Sequence, residues 1–229
     1  AMKPITFDEA MVAVEPNNSI LTGLEIPEES VMGIDWGSQT TVVILHPDGR
    51  ILNALKLDSK GDDEWDEVAQ IKELILRYNS TQVVCDIGYG ARQVKELQRE
   101  FGERVKSCYY SSRPMTPFEY KKRDNNRNLI FMCVVDRTSY VEQTIEAIKH
   151  REILLPYQTT ELEWVLHEWS ALNSSAEKDA ANTNPVAGQP HTKYGRDGDD
   201  HAFHALLYAR IAKTFLDEGG LPQMKIFGA

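Results

Sequence analysis

Val31-Met32-Gly33-Ile34-Asp35-Trp36-Gly37 decides how this chain is read: an apolar, strand-like run with one carboxylate among large hydrophobic neighbours. It continues through Ser38-Gln39-Thr40 into a second β-rich run, Thr41 to Leu45. An isolated carboxylate in a fully buried strand costs several kcal/mol unless something pairs with it. Asp35 is therefore expected at an open place on a sheet, beside a cation, a metal or a substrate.

The neighbouring sequence supplies that sheet. Pro47-Asp48-Gly49 is a strong hairpin signal before a third run, Arg50–Leu57, and Gly37-Ser38-Gln39 suits a turn between the first two. Asp62–Tyr78 reads as a helix: acidic residues crowd its first turn, where they favour the dipole, and Val68, Ile71, Leu74 and Ile75 form an apolar stripe. Gln82–Asp86 is a short apolar strand that ends in a carboxylate before Gly88-Tyr89-Gly90. A second amphipathic helix over Ala91–Glu100 and a fifth strand over Val105–Tyr110 follow. The order β-β-β-α-β-α-β implies three antiparallel strands, then parallel strands with helical crossovers, in one mixed α/β sheet.

Further along, residues 111–128 read as a polar, basic loop with Pro114 and Pro117, and Leu129–Val135 as another strand. Helices are expected over Arg137–Lys149 and Thr160–Ala171, with Glu152–Leu155 extended between them and Trp164 and Trp169 packed. Residues 173–198, rich in Asn, Ser, Gly and Pro, read as a loop. The last helix is expected to start near Asp199 and run to about Leu216, burying Phe203, Leu206, Leu207, Ile211 and Phe215. Residues 1–30 read as an N-terminal arm or linker with a short helix around Phe7–Val14, and 31–229 as one domain. Ala1-Met2 resembles a cloning remnant.

At 229 residues the chain is long enough for one full-sized domain, and 41% hydrophobic with 26% charged residues is ordinary for a soluble globular protein. No apolar run reaches membrane-spanning length and no basic-then-apolar leader precedes the first strand, so no membrane association is expected. The three cysteines, Cys85, Cys108 and Cys133, fall singly in apolar runs. That spacing suits neither a disulfide framework nor a zinc site, but reduced core residues of a cytosolic protein. The net charge of −10 is spread unevenly: residues 91–127 hold 10 basic and 5 acidic side chains. Such an island reads either as a solvated face or as a local phosphate-contacting surface.

Three acidic positions share a pattern: Asp35 in the first strand, Asp86 ending the fourth, and the pair Asp199-Asp200 opening the last helix. The first and fourth strands of such a sheet are neighbours, and a late helix laid across that face brings a third acid. Taken singly, Asp199-Asp200 suits an N-cap with a dipole-favoured acid, and Asp86 a turn former. Together they suit an oxygen-only site for hard divalent cations, Mg²⁺ or Mn²⁺, two of which support phosphodiester cleavage.

Gly33-Ile34-Asp35-Trp36-Gly37, Cys85-Asp86-Ile87-Gly88-Tyr89-Gly90 and Gly198-Asp199-Asp200-His201-Ala202-Phe203-His204-Ala205-Leu206-Leu207-Tyr208-Ala209 together resemble the nuclease domain of the large terminase subunit of tailed bacteriophages. The resemblance covers about residues 30–216. It implies an RNase H-like (RuvC-like) α/β fold, a mixed sheet of five or more strands in the order 3-2-1-4-5 flanked by helices. It further implies a metal-dependent endonuclease that cuts double-stranded DNA with little sequence preference while viral genomes are packaged. Asp35, Asp86, Asp200 and Asp199 would hold two divalent ions, with Asp200 favoured over Asp199 as third ligand because it leads directly into the helix. A packaging ATPase domain, a small terminase subunit and a portal are the implied partners, and the cytoplasm of an infected host cell the implied location. The phosphate loop of such an ATPase, G-x-x-x-x-G-K-[ST], is not in this sequence.

Candidate DNA contacts are Arg92 after the Asp86 turn, Lys121, Lys122, Arg123 and Arg127 in the basic loop, and Lys193 and Arg196 before the last helix. Each of these also reads as a solvated surface cation. His191 and His201 are candidate peripheral groups of the site, and both read equally as surface or packed histidines. Two other readings share parts of the pattern. An actin-like or sugar-kinase-like ATPase also places a phosphate loop after a G-x-D-x-G strand, but Cys85–Gly90 matches its second phosphate loop poorly. A Holliday-junction resolvase shares the nuclease core, without the basic loop and C-terminal elaboration found here. A metal-free DNA-binding or docking module, with the acids as caps, is separable from the nuclease by metal titration.

Overall fold

The structure, a computed structural model, describes residues 2–16, 27–37, 39–57, 64–88, 90–111, 118–123, 129–156, 159–177, 191–218 and 225–226. Its centre is a mixed sheet built from β1 (Ser30–Asp35), β2 (Thr40–Leu45), β3 (Ile51–Leu57), β4 (Ser80–Asp86), β5 (Val105–Ser111), β6 (Phe118–Arg123) and β7 (Leu129–Asp136), with an eighth short strand at Lys225–Ile226. Reading across from that short strand, the order is β6-β7-β5-β4-β1-β2-β3. The first five strands of this sheet, in chain order, thus lie as 3-2-1-4-5. β1, β2 and β3 pair antiparallel, while β4 joins β1, β5 joins β4 and β7 joins β5 in parallel.

Helices cover both faces. α2 (Glu64–Arg77) and α3 (Ala91–Phe101) lie on one side. α4 (Arg137–Lys149), α5 (Thr159–Trp169) and α6 (His201–Asp217) lie on the other, joined there by the short α1 (Phe7–Met11). Strand side chains alternate between faces, so parity sorts β1. Met32, Ile34 and Trp36 join Val68, Ile71, Ile75, Val94 and Leu97 of α2 and α3 in one core. Val31 joins the α4–α5–α6 core, and Gly33 and Asp35 share its parity. β4 repeats the rule, with Val83 and Cys85 on the α2–α3 side and Val84 on the α6 side, which assigns Asp86 to the α6 side too.

Gly33 sets how closely α6 lies. A Cβ there would stand 1.9 Å from the Ala205 carbonyl oxygen and 2.3 Å from the Ala209 nitrogen, so the helix backbone touches the strand only because no side chain intervenes. At the far end of the sheet the β2–β3 turn is closed by Gly49 at φ 97° and by the Asp48 carboxylate, which accepts the Arg50 N–H at 3.0 Å.

Two stretches expected as loops contain strands. Within 111–128, Phe118–Arg123 forms β6, antiparallel to β7 from Phe118–Val134 to Arg123–Leu129. Within 173–198, β8 (Leu172–Glu177) and β9 (His191–Arg196) form an antiparallel hairpin in register from Leu172–Arg196 to Glu177–His191. Both β6 and β9 are rich in charge and hydroxyls, and strand formation there follows from a partner rather than from composition. The expected arm also has structure: Thr6 and Glu9 close a capping box on α1. Ile5, Ala10 and Ala13 are buried against the α4–α5–α6 layer, and Met2 exchanges backbone hydrogen bonds with Ser174 at 2.8 Å each. The three cysteines are buried and unbridged. Among the described residues no helix is long and apolar enough to cross a membrane.

Candidate active site

The carboxylates singled out in the sequence meet at one end of the sheet. Asp35 is the last residue of β1 and Asp86 the last of β4, one register step beyond the paired Ile34 and Cys85. α6 starts at His201, a residue or two later than expected, which leaves Asp200 in the N-cap position. Asp35, Asp86, Asp199 and Asp200 all line one open cleft of about 880 Å³, with Tyr110, Arg137, Arg196, His201, His204 and Tyr208 completing its walls. Asp35 (9% exposed) and Asp200 (6%) are buried at its floor, Asp86 is half-buried and Asp199 is exposed.

Each buried acid has its own partner. Asp35 Oδ2 lies 2.7 Å from His201 Nδ1, and the carboxylate raises the imidazole's affinity for its proton against the opposing effect of burial. Asp86 Oδ2 accepts the Gly88 N–H at 2.9 Å, and Oδ1 accepts the Tyr208 hydroxyl at 3.4 Å. Burial first, and the negative charge of Asp35 second, push the Asp86 carboxyl above its ordinary range. Burial also pushes Asp200 upward, but His204 (Nε2 to Oδ2, 3.3 Å) and Arg196 (Nη1 to Oδ1, 3.2 Å) outweigh it and hold this carboxyl below its usual range. The Tyr110 hydroxyl lies 3.3 Å from His204 Nδ1, and its ring stacks on Tyr208 at 5.9 Å.

α6 organises this set because His201, His204 and Tyr208 recur at three- and four-residue spacing and so share one helical stripe. The stripe faces the strand ends, where Gly33 lets the helix lie close. The charge of Asp35 beside Asp86 makes this pair of carboxylates a place where a cation relieves like-charge repulsion. The carboxylate oxygens of the donor set are flanked by the largely buried imidazoles of His201 and His204, and its oxygen-rich character suits a hard divalent ion. Among the described residues no three acidic, histidine or cysteine side chains close on a single point as a preformed cage. His201 engages one oxygen of Asp35, and Gly88 and Tyr208 engage one lone pair on each oxygen of Asp86, so both carboxylates keep acceptor capacity for a cation.

The other expected contacts divide. Arg196 stands at the cleft rim, exposed and paired with Asp200. Arg92, at the exposed start of α3, is not among the lining residues. Lys121, Lys122 and Arg123 lie on β6 and His191 and Lys193 on β9, not in loops; their side chains, and the whole of Arg127, fall outside the described residues. Tyr110, Tyr208 and Arg137 are cleft residues that the pattern of acids does not mark. The stripe spacing in the last helix was a signal for Tyr208. Tyr110 and Arg137 arrive through strand order alone.

Solved structures share this arrangement of sheet and helices. The large terminase nuclease of the thermophilic phage G20c aligns over 92% of this chain and 98% of its own, with a TM-score of 0.54 and 17% identity. The nuclease domain of the large terminase subunit gp2 of bacterial virus Sf6 covers 91% and 98%, with a TM-score of 0.55 and 11% identity.

The chain has the fold of a large-terminase nuclease domain.

An Sf6 variant of the same terminase nuclease fold, solved with manganese, matches at a TM-score of 0.55 and 10% identity over 91% of this chain and 98% of its own. No protein-family model and no curated protein sequence matches the chain. The likeness to the terminase nuclease is therefore one of architecture.

Proposed function

We propose that this protein is a metal-dependent endonuclease that cuts double-stranded DNA with little sequence preference during viral genome packaging. The observation that carries the reading is the convergence of Asp35, Asp86 and Asp199-Asp200 on one open cleft, on a terminase-nuclease fold. Asp35 and Asp86, from adjacent strand ends, are the shared ligands of two divalent ions, Mg²⁺ or Mn²⁺. Asp200 is the third ligand, supported by its burial on the cleft floor, and exposed Asp199 assists it. The manganese-bound Sf6 relative supports divalent ions in this fold.

When bound, such a pair of ions activates the attacking water and stabilises the leaving oxygen. The chain's own groups do the rest. His201 orients Asp35 and is within reach to take up a proton released near it. Arg196, at the rim, neutralises phosphate as it enters. The Tyr110–Tyr208 stack walls the cleft beside Asp86. With a net charge of −10, isolated chain is expected to bind DNA weakly. A packaging ATPase domain, a small terminase subunit and a portal then hold the duplex, in the cytoplasm of an infected cell.

The test is a supercoiled-plasmid assay with Mg²⁺, with Mn²⁺ and with chelator. Nicking and linearisation in either ion, abolished by chelator, is the expected result. No cleavage in either ion at high protein concentration overturns the reading, and ATP binding without cleavage turns it toward the ATPase alternative.

A further inference from the structure

Glu168 is a carboxylate the cleft does not use. It lies on α5, its side chain is 6% exposed, and it is held by an ion pair with Lys56 of β3. Lys56 in turn sits 4.7 Å over the Trp164 ring. A buried acid of this kind has a large desolvation cost, and Lys56 offsets it. Its other oxygen, Oε2, accepts the backbone N–H of Ala202 at 2.7 Å. Ala202 is the second residue of α6, and that N–H is one of the orphan donors an N-cap side chain normally satisfies. The residue in the N-cap position, Asp200, makes no capping hydrogen bond, and its backbone (φ −130°, ψ 17°) lies outside the extended region usual for a cap. Its carboxylate instead turns into the cleft, toward Arg196 and His204.

We propose that Glu168 is a positioning residue of the metal site: it caps α6 from a neighbouring helix and so releases Asp200 from capping to face the cleft. This rests on the metal-site reading above and deepens it. An aspartate at a helix start is among the preferred caps, so without a competitor it turns back on its own helix and a ligand is lost. Glu168 is that competitor, and the ion pair with Lys56 holds it in place. The arrangement also positions His201, the first residue of α6, against Asp35.

The experiment is Mn²⁺ titration by calorimetry on wild type, Glu168→Ala, Glu168→Gln and the Asp200→Asn background, with thermal unfolding of each. Glu168→Ala is expected to weaken Mn²⁺ binding by about 10–100-fold, the usual cost of losing an outer-shell partner. Glu168→Gln keeps an acceptor for Ala202 and is expected to stay within about threefold of wild type, on the same scale. Both variants leave Lys56 unpaired, so a merely structural role lowers the two together in stability and binding alike. In the Asp200→Asn background Glu168→Ala should have no further effect on Mn²⁺ affinity. Equal Mn²⁺ binding by wild type and Glu168→Ala overturns this inference alone. A wild type that binds no Mn²⁺ overturns the metal-site reading and the inference with it. Should Glu168→Ala not fold, Glu168→Gln decides: a loss of tenfold or more there overturns the proposal.

Discussion

The two faces of β1 show how one short strand serves both core and chemistry. Met32, Ile34 and Trp36 enter an apolar layer against α2 and α3, where shape and volume are all that matter. Val31, Gly33 and Asp35 face α6, and there the residues shrink from valine to glycine and then change to an acid. The absent side chain at Gly33 brings the α6 backbone against the strand, and the next residue of that parity, Asp35, then meets His201. On one face burial is the purpose. On the other it is the means of holding charges close together.

The largest expected effect that tests this contrast is on the α6 face. Asp35→Ala should lower plasmid cleavage in Mn²⁺ by at least about 10²–10³-fold, the scale for losing a preorganised charge-stabilising group. Its Tm should stay within about 4 °C of wild type, equivalent to roughly 1 kcal/mol in a domain of this size. Wild-type cleavage by this variant would break the assignment of Asp35. One residue away, on the other face, Ile34→Ala should reverse the pattern. Denaturant unfolding should show about 2–5 kcal/mol of lost stability, with cleavage per folded molecule retained. Gly33→Ala tests the join between the two. Its Cβ has nowhere to go without moving α6, so a loss of about 1–3 kcal/mol is expected, together with weakened Mn²⁺ binding. Stability lost with unchanged Mn²⁺ affinity would separate helix approach from site geometry.

The smallest effect is a control at the far end of the sheet. Burial pushes the Asp48 carboxyl up, but the Arg50 backbone N–H, the Arg50 guanidinium and His46 together hold it below the ordinary range. A group with a lowered folded pKa contributes stability above its unfolded pKa and loses it as pH falls through the folded value. Asp48→Asn should therefore cost less than about 1 kcal/mol at neutral pH, since the pair is half exposed and screened. The difference from wild type should vanish as pH falls through the lowered folded pKa, with cleavage unaffected. A pH-independent difference in Tm would show that the turn geometry, not the charge, is what Asp48 supplies.

Much of this was legible in the residues. A carboxylate between Ile34 and Trp36, and another closing an apolar run at Asp86, signal a site because burial makes unpaired charge costly. The hairpin at Pro47-Asp48-Gly49 and the apolar stripe from Val68 to Ile75 placed the first strands and the first crossover. β6 was not legible: in Phe-Glu-Tyr-Lys-Lys-Arg the alternation stops after four residues, inside a basic, proline-flanked stretch, and pairing with β7 and the short Lys225–Ile226 strand makes it extended. β9 is the same case, made a strand by β8. Glu168 was invisible for a deeper reason, since nothing near it on α5 announces a partner 34 residues away at Ala202.

Sequence alone therefore determined the alternation of strands and the helix stripes, and it singled out Asp35 and Asp86, because hydrophobic period and the cost of a lone charge are local properties. Which carboxylate faces the cleft and which caps a helix was decided only by the tertiary structure. Asp200 has the composition of a cap and the position of a cap. It points at the cleft because Glu168, brought from another helix, satisfies the Ala202 N–H in its place.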